Sequence, residues 1–128
     1  MQPSGLHHII LTVSDLKRTR DFYGDLLGFE TKVFTKEGEF YFTSGGVMFF
    51  FNTAREPIPE DRFNEFRIGL DHLSFSVPTQ DALQAMAEKL KAAGVPTNGV
   101  EIFKPTGTPY VAFSDPDNIQ LEYWLTEK

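Results

Sequence analysis

At 128 residues, against about 100–200 residues for a typical domain, the chain is expected to form a single domain, 1–128. Its 41% hydrophobic and 23% charged residues exclude a disordered chain, and the absence of cysteine excludes disulfide frameworks, thiol catalysis and cysteine-bound zinc. Twelve Lys+Arg against eighteen Asp+Glu leave a net charge of −6, so neither nucleic acid nor an anionic membrane is expected as a partner. The longest apolar run, Val47–Phe51, is far below the ~20 residues of a membrane span. The start, MQPSGLHHIILTV, lacks the basic-then-apolar order of a secretory leader, and a cytoplasmic location is expected.

In chain order, the alternating segment Gly5–Val13 reads as a strand. Ser14 and Asp15 are good helix caps, followed by Leu16, Tyr23, Leu26 and Leu27 at helical spacing and by Gly28 as a stop. Three β-rich stretches follow, at Phe29–Thr35, Glu39–Ser44 and Val47–Asn52. Residues 53–68, with Pro57, Pro59 and a cluster of charges, read as a linker. From Gly69 the order recurs: a strand to Val77, then Pro78-Thr79, then Leu83, Met86, Ala87 and Leu90 as a helical stripe ended by Gly94. Strands are expected at Val100–Phe103, Pro109–Ser114 and Ile119–Leu125.

The recurrence is visible residue by residue. Gly5-Leu6-His7-His8-Ile9-Ile10-Leu11-Thr12-Val13 lies over Gly69-Leu70-Asp71-His72-Leu73-Ser74-Phe75-Ser76-Val77 at an offset of 69 − 5 = 64. Each half is therefore β-α-β-β-β, and the fold class is α+β. Two βαβββ modules, 5–52 and 69–126, are expected to pair their sheets around a cleft, because ~60 residues rarely bury enough surface alone. Thirteen phenylalanines imply an aromatic core or an aromatic-lined pocket, and composition does not separate the two.

Period-2 alternation assigns the faces. Ile9, Leu11 and Val13, then Leu73, Phe75 and Val77, then Leu121, Tyr123 and Leu125 face the helices. The opposite faces carry His8, Ile10 and Thr12, then His72, Ser74 and Ser76, then Gln120, Glu122 and Trp124. His8, His72 and Glu122 are thus two imidazoles and a carboxylate on inward positions. Such a set suits one divalent ion of Fe, Mn, Zn or Ni and leaves coordination positions open for a substrate, whereas closed structural sites normally use four protein ligands. His7 aligns with Asp71 and is read as exposed or as a hydrogen-bonding neighbour of a ligand.

The runs His8-Ile-Ile-Leu-Thr-Val-Ser-Asp-Leu16, Phe22-Tyr-Gly-Asp-Leu-Leu-Gly-Phe-Glu30, Leu70-Asp-His-Leu-Ser-Phe-Ser-Val77 and Asp115-Pro-Asp-Asn-Ile-Gln-Leu-Glu122 resemble the vicinal oxygen chelate superfamily, also called the glyoxalase/bleomycin resistance/dioxygenase superfamily. The resemblance implies a glyoxalase-like fold, a homodimer, and a metal that binds a small-molecule substrate through two neighbouring oxygens, in lyase, isomerase or dioxygenase chemistry. It maps the metal ligands onto His8, His72 and Glu122, with Phe50 where many relatives place a fourth, carboxylate ligand. Ile10, Thr12, Met48, Phe50, Ser74 and Trp124 are the expected substrate contacts and Tyr110 the expected acid–base group. A metal-free binding protein of the bleomycin-resistance kind is the alternative. The Asp117-Asn118-Ile119 turn carries Asn where many relatives have glycine; Asn tolerates the left-handed conformation such a turn needs.

Overall fold

Both halves of the chain fold as β-α-β-β-β. The computed structural model describes residues 1–126 and divides the chain into two units, Met1–Asp61 and Arg62–Lys128, with the boundary inside the 53–68 segment. In the first unit β1 (His8–Val13) is followed by α1 (Leu16–Arg20), which continues as a π-helical stretch over Asp21–Leu26. Three strands follow, β2 (Lys32–Val33), β3 (Phe40–Ser44) and β4 (Val47–Thr53). In the second unit β5 (Leu73–Val77) leads into α2 (Gln80–Ala92), then β6 (Val100–Phe103), β7 (Thr108–Ser114) and β8 (Gln120–Leu125). The sheets are ordered β1-β4-β3-β2 and β5-β8-β7-β6, each with a parallel pair, β1–β4 or β5–β8, at one side. Among the described residues no helix is long and apolar enough to cross a membrane.

Local chemistry accounts for the helix ends. Asp15 accepts a hydrogen bond from the Arg18 N–H at 2.9 Å, and Thr79 accepts one from the Ala82 N–H at 3.1 Å. Past α2, Gly94 adopts φ 76°, and the N–H groups of Val95 and Gly94 return to the carbonyls of Leu90 and Lys91, both at 3.0 Å. The first helix departs from the regular α-helix its spacing predicts. The Leu27 N–H reaches the Phe22 carbonyl, and the wider winding lets the consecutive aromatics Phe22 and Tyr23 both become buried.

The second departure is β2. The sequence predicts strand over Phe29–Thr35, but only Lys32 and Val33 pair, with Tyr41 and Phe40. Phe29 is instead stacked on Phe42, its ring centroid 4.1 Å away, which takes the start of the segment out of the ladder.

The cores differ in chemistry. Tyr23, Phe40, Phe42 and Phe51 are almost completely buried in the first unit, with Phe40 stacked on Phe51 at 4.5 Å. In the second, Leu83, Leu90, Val111 and Leu121 are the most deeply buried, with Phe75, Phe113 and Tyr123 buried beside them. Period-2 alternation runs through β1, β4, β5 and β8: Leu11, Val13, Phe49, Phe51, Phe75, Val77, Leu121 and Tyr123 are buried, while the residues between them are exposed or half-buried. At the β7–β8 turn the buried Asp115 carboxylate accepts the N–H groups of Asp117 and Ile119, both at 2.9 Å. Asn118 takes up φ 70°, the left-handed conformation foreseen for it.

Candidate functional site

The polar face of the second unit is built on the parallel pair β5–β8. Register sets Ser74 opposite Glu122 and Ser76 opposite Trp124. Oε1 of Glu122 accepts hydrogen bonds from Ser74 Oγ at 2.9 Å and from the Trp124 indole N–H at 2.7 Å, and lies 3.0 Å from Nε2 of His72. The other ring nitrogen of His72, Nδ1, is 2.7 Å from Oδ1 of Asp71. The Asp71 hydrogen bond, with Glu122 adding attraction, raises the His72 pKa above its usual 6.5 against a smaller opposing effect of burial.

Tyr110, on β7, lies across from Trp124, and its ring is stacked on the indole at 5.4 Å. Loss of solvent around the phenol, and the negative charge of Glu101 on the neighbouring strand, raise its pKa above 10. The hydroxyl is therefore protonated at neutral pH.

In the first unit, Nδ1 of His8 lies 2.9 Å from Nδ1 of His7. The two candidate ligand histidines thus have the same arrangement: Nδ1 is engaged by the preceding residue, His7 in one repeat and Asp71 in the other, which directs Nε2 to any further role. Ile10 is exposed, Thr12 donates to Asn52 Oδ1 at 3.0 Å, and Met48 and Phe50 are half-buried on β4. A cavity of about 360 Å³ opens here, lined chiefly by His8, Ile10, Phe34, Glu39, Phe50 and Asn52.

The two registers set Phe50 and Glu122 at equivalent positions. Ile10 pairs with Phe50 and its repeat counterpart, Ser74, with Glu122, so Phe50 holds in the first sheet the place Glu122 holds in the second.

The structure thus brings together His72, Ser74, Glu122, Trp124 and Tyr110 in one unit, and His8, Ile10, Thr12, Met48 and Phe50 on one face of the other. Within either unit, among the described residues, no three histidine or acidic side chains form a metal-binding group. Sequence reasoning missed Asp71 as a partner of His72, and Phe34 and Glu39 as cavity residues. The alignment of Asp71 with His7, each directly before a candidate ligand, was the available signal.

The chain belongs to the Glyoxalase/Bleomycin resistance protein/Dioxygenase superfamily, whose family model matches residues 5–123. It is 32% identical to the uncharacterized protein YqjT of Bacillus subtilis (strain 168), covering 91% of this chain and 95% of that protein. Among solved structures, a glyoxylase/bleomycin resistance protein/dioxygenase domain from Frankia sp. EAN1pec is similar at TM-score 0.81 and 31% identity, covering 97% and 93% of the two chains. Lactoylglutathione lyase from Agrobacterium tumefaciens shares the fold at TM-score 0.73 and 20% identity, covering 98% of this chain and 96% of the other.

Proposed function

We propose that the protein is a metal-dependent enzyme acting on a small, oxygen-rich organic molecule, with His8, His72 and Glu122 as the protein ligands of one divalent ion of Fe, Mn, Zn or Ni. The observation that carries this reading is the 3.0 Å separation of His72 Nε2 and Glu122 Oε1. Two donors bound to one ion at ~2.0–2.2 Å lie about 3.0–3.4 Å apart, so the pair already has the spacing of neighbouring ligands. An imidazole nitrogen beside a carboxylate oxygen also suits these metals chemically. His8 enters as the repeat counterpart of His72, with its Nδ1 likewise engaged.

When bound, such an ion supplies Lewis acidity toward two neighbouring substrate oxygens. The chain's own residues do the rest. Asp71 holds the His72 ring, and Ser74 and the Trp124 indole fix the Glu122 carboxylate. Tyr110 is the acid–base group, and Ile10, Thr12, Met48, Phe50, Ser74 and Trp124 contact the substrate. The reaction is of the lyase, isomerase or dioxygenase type, and the enzyme acts in the cytoplasm as a homodimer.

The test is metal content by plasma mass spectrometry on tag-free protein, beside a Glu122→Ala variant. About one divalent ion per chain, lost in the variant, is expected from a three-ligand site. Failure of wild-type protein to take up Fe, Mn, Ni or Zn on titration would overturn the reading. In that case a metal-free binding protein gains, a second reading favoured by the first unit's cavity, where Phe50 stands in the carboxylate's place.

A further inference from the structure

We propose that the cavity of the first unit is a seat for a flat, uncharged aromatic ring carrying a hydrogen-bond-donating substituent of the phenol kind. The inference deepens the proposed function, and rests on it only in taking that ring to be part of the substrate.

The first observation is how the rings are arranged. In the core of the same unit aromatic faces are used up on one another: Phe29 lies on Phe42 at 4.1 Å and 10°, and Phe40 on Phe51 at 4.5 Å and 7°. At the cavity the rings meet edge to face or tilted. Phe50 meets both His8 and Phe34 edge-on, at 5.8 Å with interplanar angles of 89° and 87°. Tyr41 braces Phe50 and Phe34 from β3, tilted by 34° and 60°. Among the described residues no ring is stacked on Phe34, which is 52% exposed, so its ring is open to an incoming one in offset-stacked or edge-to-face contact.

The second observation is exposure. Phe34 and Ile10 are 52% and 54% exposed although large and apolar, and both line this one cavity. Apolar side chains grouped and left open around a concavity mark binding surfaces more often than scattered ones do. Its volume, about 360 Å³, lies in the range of small-molecule pockets.

The third is polarity. The cavity's polar lining comes from His7, His8, Asn52 and Glu39. Asn52 Oδ1 already accepts from Thr12, and the Glu39 carboxylate is an acceptor. A ligand hydroxyl or ring N–H finds partners there, whereas an anionic group would face Glu39 on a chain of net charge −6.

The test uses EDTA-treated protein and three probes of similar size: 4-ethylphenol, 4-ethylcyclohexanol and 4-ethylbenzoate. Each is titrated while the backbone and aromatic NMR signals are followed. The phenol is expected to bind about 2- to 10-fold tighter than the cyclohexanol, with the benzoate weakest, and to shift signals of Ile10, Phe34 and Phe50. Phe50→Leu and Phe34→Leu should remove the aromatic preference, and Phe50→Tyr should keep it, each variant being checked for native chemical-shift dispersion. Equal binding of phenol and cyclohexanol, or shifts centred away from these residues, overturns the site. Because no metal is present, the outcomes separate. Ring binding without metal uptake would sustain the ring site and remove the metal chemistry, and metal uptake without aromatic preference would do the reverse.

Discussion

The two βαβββ units have the same strand order and the same alternation, yet they have diverged on the faces turned away from their helices. In the second, Glu122 on β8 gathers Ser74, Trp124 and His72 around one carboxylate oxygen. In the first, the matching position on β4 is Phe50, and the neighbouring strands supply Ile10 and Tyr41. The repeat keeps its strand order while equivalent positions carry a carboxylate, Glu122, in one unit and an aromatic ring, Phe50, in the other. Parallel pairing in register is what permits this: it presents the same geometric position twice, and one side-chain change alters the chemistry of one half alone.

That comparison can be broken in several ways. The largest effect should come from confusing the two faces of one strand. Phe51→Ala removes a ring buried between Tyr23 and Phe40 and should cost about 3–5 kcal/mol of stability in urea unfolding, while Phe50→Ala, on the cavity side, should cost well under half of that. Near-equal losses would show that the cavity face is packed as tightly as the core.

Next comes the partner of His72. Asp71→Asn should weaken divalent-metal affinity by about 10- to 100-fold in calorimetric titration, since a carboxylate on Nδ1 orients the ring and makes Nε2 a better donor. His7→Ala, which removes an imidazole and not a carboxylate from beside His8, should weaken it less. If Asp71→Asn left the affinity unchanged, the orienting role would be gone.

The same pair sets a pH dependence. With its pKa raised, His72 in metal-free protein should titrate above 6.5 by NMR, and closer to 6.5 in Asp71→Asn. The sign for stability follows. A group that holds its proton more tightly when folded contributes fully below pH 6.5, and the contribution is lost as pH rises through the raised value. A His72 midpoint at or below 6.5 would contradict the hydrogen bond as its cause.

The smallest effect concerns Tyr123, whose hydroxyl is buried without a protein partner; burial pushes its pKa far up. Tyr123→Phe should leave stability unchanged or raise it by about 1 kcal/mol, because a desolvated polar group is removed and the packing ring is kept. A clear loss in thermal unfolding would mean that the hydroxyl has a partner after all.

Much of the fold was legible without coordinates because its signals are local. Asp15 and Thr79 cap helices through bonds spanning three residues, and Gly94 stops one through bonds within five. Leu11, Phe75 and Leu121 declare their faces by alternation alone. Where prediction and structure part, two residues compete for one place. The helix spacing of Tyr23 gave no warning that Phe22 would also be buried and widen the winding. The β character of Phe29 gave none that its ring would leave the strand for Phe42.

The candidate site divides along the same line. The positions of His8, His72, Glu122 and Trp124 on the faces turned from the helices could be read from the repeat and the alternation, whereas Phe50 as the place of a carboxylate was implied only by the resemblance. Residue order was sufficient there because a period of two and an offset of 64 need no knowledge of distance. The sharing of one Glu122 oxygen by Ser74, Trp124 and His72, the capture of each histidine's Nδ1 by the residue before it, and the opening of a cavity beside Phe34 had to await the folded chain. These depend on strand register across 48 residues and on rotamers chosen by packing, and neither leaves a trace in the order of the residues.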